Sequence, residues 1–202
     1  MFCIGFAQAF IQILTECTGF FVNHSLLINT SPNYVAAWNI VQKNYTLMLM
    51  PIVVITQGVQ TMIAYYVGHQ KEKEKKITVK LTLLYTTVYG IFATLLISLL
   101  GYKILKIYGL SSEIYIISIN VLKIIFFTFP LVGIFYTILT LLEVTGQEIK
   151  AVLLCLIRQL FAMIPLVYLL PQMFPYTKFA PFFSIPITDV LAIAIASILL
   201  KK

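Results

Sequence analysis

Two acidic residues inside long apolar stretches are the most chemically informative residues of this sequence. Glu16 lies in the apolar run at the start of the chain, and Asp189 lies in the last one. An ionised carboxylate near the centre of a bilayer costs about 2.5–3.5 kcal/mol, so such a residue is commonly functional. Because a buried acid can bind and release a proton or a sodium ion, we interpret Glu16 and Asp189 as cation-coupling residues. The alternative is a structural carboxyl group hydrogen-bonded across helices, and Arg158 is one candidate partner of Asp189.

Amide and phenol side chains form a second group of candidates, in the apolar stretch at residues 48–70. An unpaired polar group in hydrocarbon costs several kcal/mol, so amides in a spanning helix should face protein partners or a watery cavity. Tyrosine rings also suit amphipathic cations, through cation–π contact. We therefore expect four residues of this stretch to line a substrate cavity, with helix packing as the alternative for each one alone: Gln57, Gln60, Tyr65 and Tyr66.

The first apolar stretch carries a polar stripe. Gln8, Gln12, Thr15 and Glu16 are spaced i, i+4, i+7 and i+8, so they share one face of a helix. These polar side chains would find no hydrogen-bond partners in lipid, so we expect this face of the helix to point to the interior of a bundle. Gln12 is therefore predicted to line the substrate cavity as well.

The composition indicates an integral membrane protein. Hydrophobic residues make up 60% of the chain and charged residues 10%, with a mean hydropathy of +0.97, against roughly 25% charged residues in soluble domains. The net charge of +7 does not predict nucleic-acid binding, because no aromatic-basic motif or folded basic surface accompanies it. Instead, five of the cations lie together between two apolar blocks, as is typical of a juxtamembrane segment: Lys71, Lys73, Lys75, Lys76 and Lys80.

Catalytic and metal-binding motifs are missing from the sequence. The three cysteines lie in apolar segments without C-x-x-C spacing, and the two histidines stand on opposite sides of an apolar block. The chain has no P-loop and no G-x-S-x-G motif. We therefore expect no enzyme activity, no bound metal and no cofactor. The energy for transport must then come from a sodium or proton gradient, or from a partner.

Hydropathy divides the chain into six apolar segments long enough to cross a bilayer. Two of them are overlong and contain Pro51 and Pro130, where we expect bends. Residues 23–33 are rich in turn-forming residues and are predicted to be a loop. The sequence thus predicts an all-α membrane protein, a single six-transmembrane-helix bundle with helices at approximately residues 2–22, 34–67, 77–100, 113–142, 151–170 and 182–200.

The distribution of cations predicts the orientation of this bundle. The five clustered lysines and the terminal Lys201 and Lys202 should lie on the cytoplasmic side, according to the positive-inside rule. An even number of spans places both termini on that side. We expect a multi-pass protein of the bacterial inner membrane, in contact with membrane lipid.

Three sequence blocks resemble motifs of the MATE (multidrug and toxic compound extrusion) family. They follow the order of the family's motifs over nearly the whole chain. The first is similar to P…QGxQP…YNxGA, the second to G…RQ…IPL…LP, and the third to the P-x-x-D of the last helix. The matching residues are Pro51 with QGVQ (57–60) and YYVG (65–68), Gly146 with RQ (158–159), IPL (164–166) and LP (170–171), and IPITD (185–189).

The resemblance implies that the chain is one lobe of a twelve-helix transporter, its carboxy-terminal helices seven to twelve. Such a transporter exchanges sodium ions or protons for small organic cations or drugs, and Glu16 falls where some members carry a coupling glutamate. The partner would be the missing amino-terminal six-helix lobe or a second copy of the chain. Two alternatives remain open: a lobe of a lipid-linked oligosaccharide flippase of the same superfamily, and a membrane scaffold that does not transport.

Overall fold

The computed structural model describes the backbone of residues 2–201 and the side chains of residues 13–198. That part of the chain is helical and contains no strand, which confirms the all-α prediction. Its helices, in chain order, are α1 (Phe2–Asn29), α2 (Pro32–Gly68), α3 (Glu72–Ile107), α4 (Ser112–Phe126), α5 (Phe129–Val144), α6 (Glu148–Leu156), a π-helical segment (Ile157–Met163), α7 (Ile164–Met173), a 3-10 turn (Ala180–Phe183) and α8 (Ser184–Lys201).

Several helix boundaries follow directly from residue type. Pro32 begins α2 after an extended Ser31, because a proline at the first helical position loses no hydrogen bond. Glu72 and Glu74 occupy the first turn of α3, where negative charge favours the helix N-terminus. Gly146 has a φ of 72° between α5 and α6, a conformation that glycine adopts without steric cost.

The predicted bend at Pro130 is present as a break between α4 and α5. The two helices meet at an angle of 48°, and Phe127 and Thr128 lie between them. Proline has no N–H to continue the hydrogen-bond ladder, so the break falls just before it. By contrast, α2 continues as one helix across Pro51.

Four helical segments of the described chain are long and apolar enough to cross a membrane, and a fifth span results if α4 and α5 count together. The four are Pro32–Gly68, Glu72–Ile107, Glu148–Met173 and Ala180–Ile198. The third of these joins α6, the π-helical segment and α7. Helix α1 overlaps the first predicted segment, at residues 2–22, and the division of the chain into six spans stays a prediction.

The predicted loop at residues 23–33 is wrong for most of its length. Helix α1 continues to Asn29, and only Thr30 and Ser31 separate it from α2. The polar side chains that suggested a loop are instead satisfied along the helix: Asn29 Nδ2 donates to the Ser25 carbonyl and Thr30 Oγ1 to the Leu26 carbonyl. Local bonds of this kind allow a polar helix end to persist.

The tightest helix contact joins α3 and α5. A Cβ atom at Gly90 would stand 2.7 Å from Pro130 Cα, and one at Gly133 would stand 2.9 Å from the Thr86 backbone. Small residues thus let two membrane helices approach at backbone distance. On the opposite side of α3 a row of large apolar side chains is exposed, as expected of a face toward lipid: Ile77, Leu81, Leu84, Val88 and Leu95.

Candidate functional site

A buried ion pair lies in the middle of the bundle. Arg158 Nη2 donates to Asp189 Oδ1 at 2.6 Å, and the two side chains are 15% and 3% exposed. Thr128, at the break between α4 and α5, donates from Oγ1 to the second oxygen of Asp189 at 3.1 Å. The carboxylate is therefore bound through both of its oxygens, as a buried charge requires.

Arg158 joins the ion pair to two further helices. Its guanidinium lies 4.5 Å from the centroid of the Phe135 ring on α5, which is cation–π geometry. Tyr45 of α2 also lies close to this guanidinium, in the same cavity wall. One guanidinium thus contacts α2, α5 and α8 at the same depth, so its position depends on how all three helices pack.

The π-helical segment brings Arg158 and the next residue, Gln159, to the site together. Segments with i→i+5 bonding are rare and occur frequently at functional sites. Because such a turn contains more residues than an α-turn, consecutive side chains diverge by a smaller angle. Pro165 lies just after the segment and lacks the N–H that would continue a regular ladder. Gln159 Nε2 donates to Thr15 Oγ1 at 2.9 Å and so connects α1 to the site.

A cavity of about 160 Å³ opens beside the ion pair. Aromatic rings and short polar groups share its wall with the guanidinium of Arg158. The ring of Tyr45 also packs on Phe129 and Phe126, with centroid distances of 5.4 and 6.0 Å, so this wall is rigidly held. The residues that matter for its chemistry are Thr15, Trp38, Tyr45, Tyr136, Arg158 and Gln159.

The two predicted coupling residues occupy different environments. Glu16 is exposed on α1, next to Thr15 of the cavity wall. Asp189 is buried behind the wall, where its neighbour Thr188 lines the cavity. The predicted stripe on α1 therefore reaches the cavity through Thr15. The side chain of Gln12 lies outside the described residues.

The amides and tyrosines predicted on the later part of α2 do not line this cavity. Gln57 lies about 18 Å farther along the helix than Tyr45 and is exposed. Gln60 Nε2 lies 3.4 Å from Glu143 Oε2 on α5. The ring of Tyr65 packs against His69 at a tilt, with ring centroids 4.2 Å apart, and also contacts Tyr66. None of these four residues lines the cavity that Thr15 lines, and their contact with substrate stays a prediction.

Sequence reasoning missed several residues of the site. Trp38, Gln42 and Tyr45 are spaced i, i+4 and i+7 on α2 and all line the cavity, a periodicity that could have identified them. Glu143 is a third acid within a span, 6% exposed near the end of α5. Its position in an apolar run just before a turn was the available signal.

Within the described side chains, no group of three His, Cys, Asp or Glu residues could hold a metal ion.

Similarity to known proteins extends over nearly the whole chain. The MatE family model matches residues 4–169. The multidrug export protein MepA of Staphylococcus haemolyticus is 26% identical over 181 residues, which are 88% of this chain and 38% of MepA. The chain therefore spans well under half the length of this relative.

Solved structures of MATE transporters share the fold. The MATE multidrug transporter DinF-BH is 26% identical with a TM-score of 0.83, over 98% of this chain and 44% of its own. The Vibrio cholerae MATE transporter VcmN, in its bent form, is 16% identical with a TM-score of 0.87, over 97% of this chain and 44% of its own. The match covers less than half of each transporter. This agrees with the prediction that the chain is one lobe of a larger MATE transporter.

Proposed function

Because the chain belongs to the MatE family, we propose that it is one lobe of a secondary-active antiporter that exports organic cations or drugs in exchange for sodium ions or protons. Transporters of this kind bind substrate between two lobes and alternate access by moving one lobe against the other. The other lobe would be an amino-terminal six-helix lobe or a second copy of the chain. The export of drugs by MepA supports this choice of substrate class.

The observation that carries the proposal is the cavity beside the ion pair, whose mainly apolar wall also carries several polar groups. Its wall combines Trp38, Tyr45 and Tyr136 with hydrogen-bonding side chains. Aromatic faces suit the flat or amphipathic bodies of drug-like compounds. A scaffold that only anchors other proteins has no need for a cavity of this kind.

Glu16 is the better candidate of the two acids for coupling. Asp189 already binds Arg158 and Thr128, and a proton on its carboxylate would leave a buried guanidinium that cannot lose its own charge. Glu16 is exposed on α1 beside the cavity, where an ion can reach its carboxylate. We therefore propose that Glu16 couples the ion and that Asp189 positions Arg158.

The proposal includes an orientation in the membrane. The chain is an integral, multi-pass membrane protein, and we infer that the turn between α2 and α3 faces the cytoplasm of a bacterial inner membrane. Lys71 in this turn is exposed, as are Lys73 and Lys76 at the start of α3, and positive charge close to the ends of spans is retained on that side. A cysteine placed at Lys73 should react with an impermeant thiol reagent in inside-out vesicles and stay unreactive in intact cells. The reverse pattern would contradict this orientation.

Dye transport in vesicles tests the function. Inside-out vesicles that contain the chain together with an amino-terminal lobe of a MatE-family transporter should accumulate a cationic dye when a sodium or proton gradient is imposed. Activity of the chain alone would identify a second copy as the other lobe. If neither preparation accumulates dye under either gradient, the antiporter proposal is refuted.

Two variants of the same preparation test the coupling residue. Glu16→Gln should abolish the dependence of dye uptake on the gradient, because the amide can bind neither a proton nor a cation by charge. Glu113→Gln is the matched control, since it removes an exposed acid at the start of α4, away from the cavity. Equal uptake by the two variants would remove the role assigned to Glu16.

No specific observation favours the oligosaccharide flippase. A phosphate-linked glycan would need cations in the cavity. Lys43 lies on α2 in an exposed groove beside the cavity, Lys123 is exposed on α4, and Arg158 is already paired.

A further inference from the structure

One end of α3 carries three exposed lysines on a single face. Lys73, Lys76 and Lys80 follow the spacing i, i+3 and i+7, and all three are exposed. This spacing places them on one side of the helix, roughly opposite Thr82, which is buried against the bundle. These three residues, the lysine row, therefore point away from the rest of the protein.

The other two lysines of this segment already have partners. Lys75 Nζ lies 2.6 Å from Glu72 Oε1, and Lys71 Nζ lies 5.7 Å from the centroid of the Tyr65 ring. Among the side chains that the structure describes, no member of the lysine row forms an ion pair. Residues 71–80 contain five lysines and two glutamates, so the lysine row keeps a positive charge that the segment itself does not compensate.

The lysine row lies at the depth of the lipid headgroups. Residues 81–102 of α3 contain no charged residue, and with a rise of 1.5 Å per residue this stretch is roughly 33 Å long. The hydrocarbon of a bilayer is ~30 Å thick, so the stretch fills it and Lys80 stands at its boundary. Lysine side chains at such a boundary extend toward the headgroups. Beside the lysine row, on the same side of α3, begins the exposed apolar row: Ile77, Leu81, Leu84, Val88 and Leu95.

The two rows together are complementary to an anionic phospholipid. Ammonium groups bind phosphate oxygens by charge-assisted hydrogen bonds, and acyl chains suit an apolar surface that needs no polar partner. A zwitterionic phospholipid has the same phosphate but also carries a cation, which the lysine row repels. Free phosphate has no chains for the apolar row. The charge and the apolar surface are matched at once only by a lipid with a net negative headgroup.

We propose that the lysine row of α3 binds the headgroup of an anionic phospholipid, whose acyl chains lie along the apolar row. Lys73, Lys76 and Lys80 contact the phosphate. This site lies on the outer surface of the bundle, and the inference does not depend on transport or on a second lobe.

Native mass spectrometry of the purified chain in a neutral detergent tests the proposal. The probes are dioleoylphosphatidylglycerol and dioleoylphosphatidylcholine, which have the same acyl chains and differ in the net charge of the headgroup. We expect phosphatidylglycerol to bind at least about tenfold tighter, since each lysine near an anionic lipid surface contributes about fivefold. An excess of glycerol 3-phosphate should not displace the lipid, because it has no acyl chains.

Two neighbouring lysines distinguish a defined site from diffuse attraction. Lys76→Gln removes one charge from the lysine row and should weaken the binding of phosphatidylglycerol about fivefold, and the addition of Lys73→Gln should bring the loss to about twentyfold to thirtyfold. Lys75→Gln is the matched control, because it removes the same charge from the position that is paired with Glu72, and it should change the affinity by less than about twofold. Lys76→Arg keeps the charge and should bind as the unchanged chain does.

Three results would overturn the proposal. Equal binding of the two phospholipids would show that the headgroup charge is not recognised. Displacement by glycerol 3-phosphate would identify a site for free phosphate esters. Equal losses for Lys75→Gln and Lys76→Gln would assign the binding to the net charge of the segment and not to the lysine row. Binding is measured without a gradient, so its failure leaves the dye-transport result intact, and failed transport leaves the binding result intact.

Discussion

The buried ion pair allows a sharp test of how burial controls electrostatic energy. Asp189→Leu would leave the Arg158 guanidinium, 15% exposed, without its counter-charge. Breaking a buried pair by removing one partner costs about 3–5 kcal/mol, and Asp189→Leu should fall in that range, since the guanidinium cannot be deprotonated. The remaining contacts of Arg158 with Phe135 and Tyr45 place the expected loss toward the lower end.

The complementary change and the double change complete a cycle. Arg158→Met should cost less than Asp189→Leu, because an unpaired carboxyl group can take up a proton and keeps its bond to Thr128. The double variant places two apolar side chains against each other, and such replacements of buried pairs are commonly neutral or stabilising. It should therefore be more stable than the sum of the single losses predicts, by at least about 3 kcal/mol.

The assay is the free energy of unfolding in mixed micelles, measured for each corner of the cycle. The Glu72–Lys75 pair is the matched control, because its oxygen and nitrogen are also 2.6 Å apart, but its side chains are 61% and 20% exposed. Its cycle should give a coupling energy of about 0–1 kcal/mol. Additive losses at Arg158 and Asp189, or equal coupling energies for the two pairs, would refute the reasoning.

Three further predictions concern the packing of the bundle, and each is measured as a change in the free energy of unfolding. Gly90→Ala should cost about 1–3 kcal/mol, because its Cβ would overlap the α5 backbone at 2.7 Å. Gly58→Ala is the control: its Cβ meets nothing within 4 Å, so this variant should not be destabilised. Equal effects of the two substitutions would contradict the close approach of α3 and α5. Phe129→Ala should cost about 3–5 kcal/mol, since this ring is 0% exposed. Phe127 is 80% exposed, so Phe127→Ala should change the free energy of unfolding little. A larger loss for Phe127→Ala than for Phe129→Ala would mean that the core has been assigned to the wrong residues. Gly146→Ala should cost about 1–2 kcal/mol, because φ is 72° there, and an unchanged stability would mean that this turn tolerates a left-handed alanine.

Local features of the fold were predictable because their causes are local. Hydropathy marked the apolar segments, and Pro130 marked the break between α4 and α5 since a proline interrupts its own helix. The end of α1 was missed for an equally local reason. Asn29 and Thr30 are common in turns, but here each donates to a carbonyl one turn earlier in α1. Residue type alone does not distinguish these two uses of a polar side chain.

The candidate site was less predictable, because it depends on how helices are rotated and shifted against each other. Periodicity shows that Trp38, Gln42 and Tyr45 share a face of α2, but it does not show at which depth another helix meets that face. The amides at Gln57 and Gln60 looked equally suitable, yet they lie toward the other end of the same long helix, and Gln60 meets Glu143 instead of the cavity. A polar group in a membrane span predicts that a partner exists, but it does not identify that partner.

The ion pair itself is best explained by the cavity and not by stability. If the double variant of Arg158 and Asp189 is about as stable as the unchanged chain, then apolar residues could fill this position at no energetic loss. What those residues could not do is hold a guanidinium against Tyr45 and Phe135 in the cavity wall, next to Gln159, whose amide nitrogen binds Thr15. The π-helical segment carries both Arg158 and Gln159. Loss of the ion pair should therefore change the position of Gln159 in the cavity wall. The double variant should therefore keep its stability and lose dye transport, and unchanged dye transport would show that transport does not need the ion pair.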